Sequence, residues 1–120
     1  MPVLARNKKA FHDYFIEDKI EAGIELVGTE VKSVKAGKVS IKESFIRIIR
    51  DEVFVMNMHI TPYEFGNINN VAESRVRKLL LNRREIKKWS EKIKEQGYTI
   101  VPISVYTKQR LVKMEIGLAK

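Results

Sequence analysis

One helix has both of its ends specified by the sequence, and this narrows the possible folds. Asn82 is a favourable N-cap, and Glu85, three residues later, completes a capping-box pattern. Gly97 suits the left-handed residue that commonly ends a helix. Apolar residues recur between them at helical spacing and predict one buried stripe: Ile86, Trp89 and Ile93. The sequence therefore predicts a single long helix over residues 83–96.

The rest of the chain is mainly typical of β-structure. Apolar and aromatic segments between turn signals predict six short strands: residues 10–16, 24–27, 39–50, 53–60, 98–106 and 109–117. The acidic segment 17–23 predicts a helical turn, residues 29–37 a short helix, and residues 62–74 a mobile loop. Turns are predicted at residues 50–52 and 107–108. Pro102 cannot donate to a ladder, so we expect it at an edge or a bulge.

Short strands in a small domain favour a closed or nearly closed barrel. The fold predicted is mainly β with inserted helices, an OB-fold-like six-stranded antiparallel β-barrel in one domain, residues 1–120. In the last strand, Val112, Met114 and Ile116 are expected on the core face, and Lys113 and Glu115 on the other face. Six aromatic side chains are expected in the core: Phe11, Tyr14, Phe15, Phe45, Phe54 and Trp89.

Composition indicates the cellular setting. The chain of 120 residues has no cysteine, which fits a reducing compartment and excludes disulfides. The longest uncharged run, residues 96–107, is too short to span a bilayer, and residues 1–9 lack the apolar core of a signal peptide. We therefore expect a cytoplasmic protein without a membrane segment.

Charge is the first indication of a partner. The 23 basic and 15 acidic residues give a net charge of +8, placed in alternating blocks. A surface that gathers positive charge from distant blocks favours a polyanion, with nucleic acid ahead of an acidic membrane. A generally lysine-rich small protein is the alternative.

Catalysis is poorly supported by the sequence. The two histidines, His12 and His59, have no metal-ligand spacing to acidic residues, and the glycines form no phosphate-binding loop. The acidic group in residues 13–21 is more typical of a solvated face or a helix N-terminus. We expect no enzyme activity, no catalytic residue, no metal and no cofactor.

Basic residues cluster in residues 75–94. A solvated helix face explains Lys87 and Lys94, whereas Arg75, Arg77 and Lys78 precede the helix, where arginines can fork onto phosphates. Further cations lie in the basic N-terminal arm, residues 1–9, and in residues 32–42. The sequence leaves open whether these segments share one face.

Several motifs in order are more specific than any of these patterns. They are residues 7–14 (NKKAFHDY), 21–26 (EAGIEL), 28–38 (GTEVKSVKAGK), 59–63 (HITPY), 75–82 (RVRKLLLN) and 112–120 (VKMEIGLAK). Together they resemble the SmpB family, the bacterial SsrA-binding or tmRNA-binding proteins, from about residue 7 to residue 120.

The resemblance implies an OB-type six-stranded barrel in a cytoplasmic, non-enzymatic protein, which we expect to be a monomer. It implies binding to the elbow and D-loop of the tRNA-like domain of tmRNA and delivery of alanyl-tmRNA to stalled ribosomes. Elongation factor Tu and alanyl-tRNA synthetase act on the same RNA. The implied outcome is trans-translation, in which the nascent chain is tagged and the ribosome is released.

The resemblance also implies site residues. Family RNA contacts carry over onto matching positions: Asn7, Glu21, Leu80, Asn82 and Lys113. Charge and motif position add a second set: Lys8, Lys32, Lys35, Arg75, Arg77 and Lys78. A carboxylate repels phosphate, so Glu21 is expected to accept hydrogen bonds from a base edge or to hold a basic neighbour. Asn82 is also the predicted helix cap, so its loss is expected to weaken the fold as well as RNA binding.

Family members continue past the last strand into a basic tail, whereas this sequence ends at Lys120. The expectation is a chain that binds tmRNA but does not support tagging on ribosomes. The alternatives are a general OB-fold binder of single strands, a ribosome-associated protein–protein module and a nucleic-acid-processing enzyme. Core placement of the aromatics disfavours the first of these, because such proteins stack bases on displayed aromatics.

Overall fold

Strands dominate the computed structural model, which describes residues 3–62 and 72–120. The strands are β1 (Val3–Arg6), β2 (Ile16–Ile24), β3 (Val39–Ser40), β4 (Phe45–Ile49), β5 (Glu52–Met56), β6 (His59–Ile60), β7 (Arg77–Leu80), β8 (Thr99–Lys108) and β9 (Leu111–Ala119). The helices are α1 (Lys9–Asp13), α2 (Gly28–Lys35) and α3 (Arg83–Gln96). Most of the predicted loop, residues 63–71, lies outside the described residues.

One antiparallel sheet carries seven of these strands in the order β1-β8-β9-β2-β7-β5-β4, and β3 pairs with β6 separately. The prediction of a mainly β fold with inserted helices is confirmed. The described residues form nine strands instead of six. The predicted strands at residues 39–50 and 53–60 each divide into two, β1, β2 and β7 form where no strand was predicted, and those at residues 10–16 and 24–27 do not form as separate strands. The sheet curves until β4 comes near β8. No ladder joins these two strands in the described part of the chain, so the sheet is not a closed barrel there.

Helix α3 forms as predicted, with the same first and last residues. Glu85 N donates to Asn82 Oδ1 over 2.9 Å, and Asn82 N donates to Glu85 Oε1 over 3.1 Å, which completes the capping box. Gly97 has the expected left-handed conformation, with φ 71°. The predicted apolar stripe packs into the core, and Trp89 Nε1 donates to Asp18 Oδ2 over 3.1 Å. Helix α2 confirms the short helix predicted over residues 29–37.

The N-terminal third differs most from the prediction. Residues 9–13 form helix α1 instead of a strand, and the predicted helical turn at residues 17–23 is the middle of β2. Strand β2 pairs with β9 along its length and with β7 at its end. Backbone pairing on both sides outweighs the weak local preference of an acidic segment for a helix. The predicted strand at residues 24–27 is reduced to Ile24, the last residue of β2.

Most of the aromatic residues expected in the core are at the surface. Phe11, Tyr14, Phe15 and Phe45 are exposed, with Phe15 at 73%, whereas Trp89 is buried as predicted. The formation of α1 changes the side-chain period, so Phe11 does not point inward as it would on a strand. The aromatics therefore no longer disfavour a protein that stacks bases on its surface.

The hairpins are close to their predicted positions. Strands β4 and β5 turn at Arg50 and Asp51 as expected, whereas the β8–β9 turn lies at residues 109–110, two residues later than predicted. The prediction for Pro102 is confirmed by a register shift between Pro102 and Ser104. The alternation in β9 is confirmed, with the predicted core residues buried. No described helix combines the length and apolar character needed to cross a membrane.

Candidate nucleic-acid interface

The outer face of the sheet brings together three of the predicted site residues. Gly23 on β2 lies opposite Lys113 on β9 and opposite Leu80 on β7. A Cβ built on Gly23 would lie 3.4 Å from Leu80 Cδ1, so Leu80 leans over the glycine. Leu80 is 50% exposed although it is apolar. Glu21 lies two residues before Gly23 on β2, and every second residue of a strand points to the same face of the sheet. We call the face formed by Glu21, Gly23, Leu80 and Lys113 the outer face.

The outer face combines different chemistries across neighbouring strands. Lys113 suits a phosphate, and the exposed Leu80 suits an unstacked base or a ribose. Successive strands are about 4.8 Å apart, so the backbones at Lys113 and Leu80 lie about 10 Å apart, and the Leu80 side chain covers Gly23 between them. Because the ladder holds all three strands, this arrangement is rigid.

Glu21 is held by hydrogen bonds on both carboxylate oxygens. Tyr106 Oη donates to Oε2 over 2.5 Å, and Lys108 Nζ donates to Oε1 over 3.4 Å. The Tyr106 hydroxyl is the main cause that lowers the pKa of Glu21, and Lys108 and Lys113 add to the effect while partial burial opposes it. Glu21 is therefore a charged, oriented acceptor, and it holds a basic neighbour as the sequence suggested.

Tyr106 and Lys108 are not among the site residues predicted from the sequence. Both lie on β8, two residues apart, and Tyr106 is buried whereas Lys108 is exposed. Period-two alternation would have placed them on one face, but it does not show that this face is the one that carries Glu21.

The side-chain oxygen of Asn82 stabilises the start of helix α3. Its Oδ1 accepts the Glu85 backbone N–H, as described above. Its Nδ2 has no hydrogen-bond partner among residues 3–62 and 72–120, and the residue is exposed. An amide nitrogen is a donor for a base or a phosphate oxygen. Asn82 lies two residues after Leu80, so this donor is close to the outer face.

Asn7 anchors the N-terminal arm to the bulge in β8. Its Nδ2 donates to the Pro102 carbonyl over 2.9 Å, and its backbone N–H donates to the Ile103 carbonyl over 2.8 Å. The bulge leaves these carbonyls free for the arm, because it interrupts the ladder there. This geometry gives Asn7 a structural role, and the adjacent Lys8 stays exposed.

Arg77 is the predicted site residue that the structure moves farthest from an RNA-binding role. Its side chain is fully buried, and Nε donates to Glu30 Oε2 over 2.7 Å. Its remaining N–H groups donate to the carbonyls of Met58, Glu73 and Arg75. With every donor used inside the protein, Arg77 has no contact left for a phosphate. The sequence prediction for this residue was wrong because charge alone does not reveal a buried partner 47 residues away.

Glu30 pairs with two arginines at once. Arg75 Nη2 donates to Glu30 Oε1 over 2.6 Å, and the Val27 backbone N–H donates to the same oxygen over 3.0 Å. Burial by itself raises the pKa of Glu30, but the hydrogen bonds from Arg75, Val27 and Arg77 outweigh it and hold the pKa below its ordinary value. Burial lowers the pKa of Arg77, and Glu30 opposes that change. The Arg75 side chain is 30% exposed, and its positive charge is paired with the Glu30 carboxylate.

The remaining predicted cations are spread over other parts of the surface. Lys78 pairs with Glu52 over 3.2 Å on neighbouring strands β7 and β5. Lys32 and Lys35 are exposed on α2, which packs against β6 and β9 instead of lying in the sheet. The structure therefore does not gather all eleven predicted residues on one face.

Comparisons with known proteins agree with one another. A family model described as SmpB protein matches residues 4–120. The SsrA-binding protein of Fusobacterium nucleatum subsp. nucleatum is 64% identical over 118 residues, which are 98% of this chain and 80% of that protein. The SsrA-binding protein of Caldanaerobacter subterraneus subsp. tengcongensis is 58% identical, over 98% of this chain and 75% of that protein.

The fold comparison points in the same direction. A solved structure described as "tmRNA-SmpB: a journey to the center of the bacterial ribosome" superposes with a TM-score of 0.78 at 45% identity. The superposition covers 100% of this chain and 84% of the other. The chain is thus similar in sequence and in fold to proteins described as binding SsrA RNA.

Proposed function

The chain belongs to the SmpB family, and from that premise we propose that it binds tmRNA and acts with it on the ribosome in trans-translation. The relatives are SsrA-binding proteins, and the similar fold was solved in a tmRNA and ribosome setting. In this role the protein is an RNA-binding partner and not a catalyst. Its substrate class is a structured RNA with a tRNA-like domain.

The observation that carries the proposal is the arrangement of Lys113, Gly23 and Leu80 on three paired strands, with Glu21 beside them. Structured RNA is recognised through shape, ribose and phosphate, while unpaired loop bases are read individually. Lys113 supplies a cation for phosphate, and Leu80 an apolar contact. Asn82 Nδ2 and the Glu21 carboxylate supply one donor and one acceptor for base edges.

The other predicted residues have narrower proposed roles. Lys8, Lys32, Lys35, Lys78 and Arg75 contribute to the long-range attraction of the RNA backbone, and within this set Arg75 and Lys78 contribute less because each is paired with a glutamate. Asn7 positions the N-terminal arm. Arg77 is omitted from the proposed RNA contacts because it is buried.

We further propose that the protein meets elongation factor Tu and alanyl-tRNA synthetase only through the RNA they share. A monomer that acts in the cytoplasm fits this role. The curvature that brings β4 near β8 supports a likeness to OB-fold barrels, with the outer face as the binding surface.

A general single-strand RNA binder is the second candidate, and the exposed aromatics favour it. Phe11, Phe15 and Phe45 present rings to solvent, and Lys19 Nζ lies 4.9 Å from the Phe11 ring centroid. Such rings suit base stacking without sequence preference.

Competition binding separates the two candidates. The isolated tRNA-like domain of tmRNA is titrated over a salt series, with alanine tRNA and polyuridine as competitors. Selective binding to the tRNA-like domain supports tmRNA recognition if the affinity also falls with salt at a slope that corresponds to a handful of phosphate contacts. Equal binding to all three RNAs favours the general binder and contradicts the proposal.

A further inference from the structure

Helix α3 has two cationic flanks with different surroundings. On one flank, Lys92 pairs with Glu17 over 2.8 Å, and Lys88 lies 3.9 Å from Asp18. These lysines are neutralised by the acidic start of β2. On the other flank, Arg83, Lys87 and Lys94 form no ion pair with any residue in the ranges 3–62 and 72–120.

The second flank forms one wall of a groove. The tip of the β4–β5 hairpin is the other wall, where Arg50 and Asp51 face the helix. Two adjoining cavities of about 350 Å³ and 420 Å³ make up the groove. Arg50 is likewise without an ion-pair partner in the described chain, so cations approach the groove from both walls. Two carboxylates, Asp51 and Glu91, also line the groove, and the four cations leave it with a net positive charge.

The groove floor is apolar. It is formed by residues of β4 and of α3: Ile46, Ile48, Ile86 and Ile93. Ser90 lines both cavities, and its Oγ has no hydrogen-bond partner in the part of the chain described. Cations along two rims and an apolar floor match the chemistry of a nucleotide chain, whose phosphates lie outside and whose sugars and bases are flatter and less polar.

We propose that this groove, between α3 and the β4–β5 hairpin, is a second contact for the phosphate backbone of the RNA bound by the outer face. The inference rests on the proposed function. The groove begins at Arg83, the residue that follows Asn82, so its first cation is next to the exposed Asn82 amide along the chain. From Arg83 to Lys94 the helix rises about 16 Å, enough to follow several nucleotides.

The wall cations are arranged for this task. Arg83 and Lys87 are four residues apart and therefore lie on one side of the helix, and Lys94 lies seven residues further on the same side. An acidic peptide would also favour these cations. Continuity with Asn82 and the family's RNA partner favour the RNA backbone as occupant.

Two charge-matched pairs of substitutions on α3 test the proposal. The groove pair is Lys87→Gln with Lys94→Gln, and the control pair is Arg84→Gln with Lys88→Gln, which do not line the groove and lie about a quarter turn around the same helix. Both pairs remove two positive charges from exposed helical positions, and glutamine keeps helix propensity. Thermal unfolding of each variant verifies that the fold is retained.

The readout is the slope of log affinity against log salt for the isolated tRNA-like domain of tmRNA. The groove pair is expected to reduce this slope by about 1–2 and the affinity at physiological salt by about tenfold, because each lost phosphate contact contributes about 0.7–0.9 to the slope. The control pair is expected to change the affinity less than about twofold. Lys87→Arg with Lys94→Arg is expected to behave like the wild type, and Arg50→Asn, on the facing wall, is expected to reduce the slope.

Three results contradict the proposal in distinguishable ways. An unchanged slope for the groove pair, with selective binding by the wild type, overturns the groove and leaves the proposed function intact. Equal losses for the groove pair and the control pair show a general charge effect and also overturn the groove. If the wild type binds the tRNA-like domain no better than alanine tRNA, the proposed function fails and the groove contact fails with it.

Discussion

The Tyr106 hydroxyl reaches Glu21 across an intervening strand. Tyr106 is on β8 and Glu21 on β2, and β9 lies between them. Tyr106 is paired with Lys113 of β9, and Glu21 is paired with Glu115 of β9. The hydrogen bond therefore crosses β9 diagonally, between the side chains of Lys113 and Glu115. Two strand spacings are about 10 Å, a distance that the tyrosine and glutamate side chains span together as they extend toward each other across β9. The contact orients an acidic group that faces a like charge, Glu115.

Tyr106→Phe is expected to release Glu21 without changing the packing of the ring. Because the hydroxyl is the main cause of the lowered pKa of Glu21, that pKa is expected to rise toward its ordinary value. A carboxyl-detected NMR titration measures this change. Binding to the tRNA-like domain is expected to weaken about 3–10-fold, the equivalent of one net hydrogen bond.

Tyr98→Phe is the matched control for this prediction. It removes a hydroxyl that donates to Glu17 over 2.9 Å, about 13 Å away from Glu21 along β2. An equal loss of RNA binding in both variants would contradict a specific role for the Tyr106–Glu21 contact.

Gly23→Ala is expected to weaken RNA binding with little effect on the free energy of unfolding. The added Cβ meets Leu80 Cδ1 at 3.4 Å, an ordinary contact, so the free energy of unfolding is expected to change by less than about 1 kcal/mol. The added methyl group contacts Leu80, and a shift of this exposed side chain is expected to weaken RNA binding several-fold. Urea unfolding and RNA titration of the same preparation measure the two effects.

Gly117→Ala is the contrasting substitution. Its Cβ would lie 2.9 Å from Ile103 Cδ1 and 3.0 Å from Ile16 Cγ2, in the interior. Overpacking of this kind is expected to lower the free energy of unfolding by about 1–3 kcal/mol. The prediction for Gly23 fails if its alanine variant is as destabilised as that of Gly117, or if it binds RNA like the wild type.

Asn82→Ser is expected to keep the helix cap and lose the amide donor. Serine caps helices about as well as asparagine, so the free energy of unfolding is expected to stay within about 0.5 kcal/mol of the wild-type value. Asn82→Ala loses the hydrogen bond from Glu85 N and is expected to lower the free energy of unfolding by about 1 kcal/mol. Both variants are expected to bind the tRNA-like domain several-fold more weakly. Wild-type affinity in the serine variant would show that Nδ2 does not contact RNA.

Glu30→Gln is expected to be strongly destabilising. It leaves the buried Arg77 without its counter-charge, and breaking a buried ion pair costs about 3–5 kcal/mol. Glu25→Gln, at an exposed position, is the control and is expected to have little effect. Urea unfolding at neutral pH compares the two variants.

Acid titration of the wild type tests the same contact even if the Glu30 variant does not fold. The pKa of Glu30 is lower in the folded chain than in the unfolded chain, so the ionised group stabilises the fold above its ordinary pKa of about 4.3. This contribution is expected to be lost as pH falls through the lowered folded value. Stability that does not decrease below pH 4 would contradict the prediction.

Local sequence was sufficient to predict α3, α2 and the alternation of β9. A cap, a glycine and a 3.6-residue period all lie within one segment, so Asn82, Trp89 and Gly97 define α3 without reference to the rest of the chain. The ordered motifs were also sufficient to identify the family, which the comparisons confirm.

Strand pairing and long-range contacts depended on the tertiary structure. Residues 17–23 became part of β2 because β9 and β7 pair with it, and Arg77 became a core residue because Glu30, 47 residues away, accepts its charge. Tyr106 and Glu21, 85 residues apart, meet only because the register places them on one face. A shift of one residue would turn every side chain of a strand to the opposite face. Sequence therefore determined α2, α3 and the family, whereas strand register decided which of the predicted residues lie together on the surface.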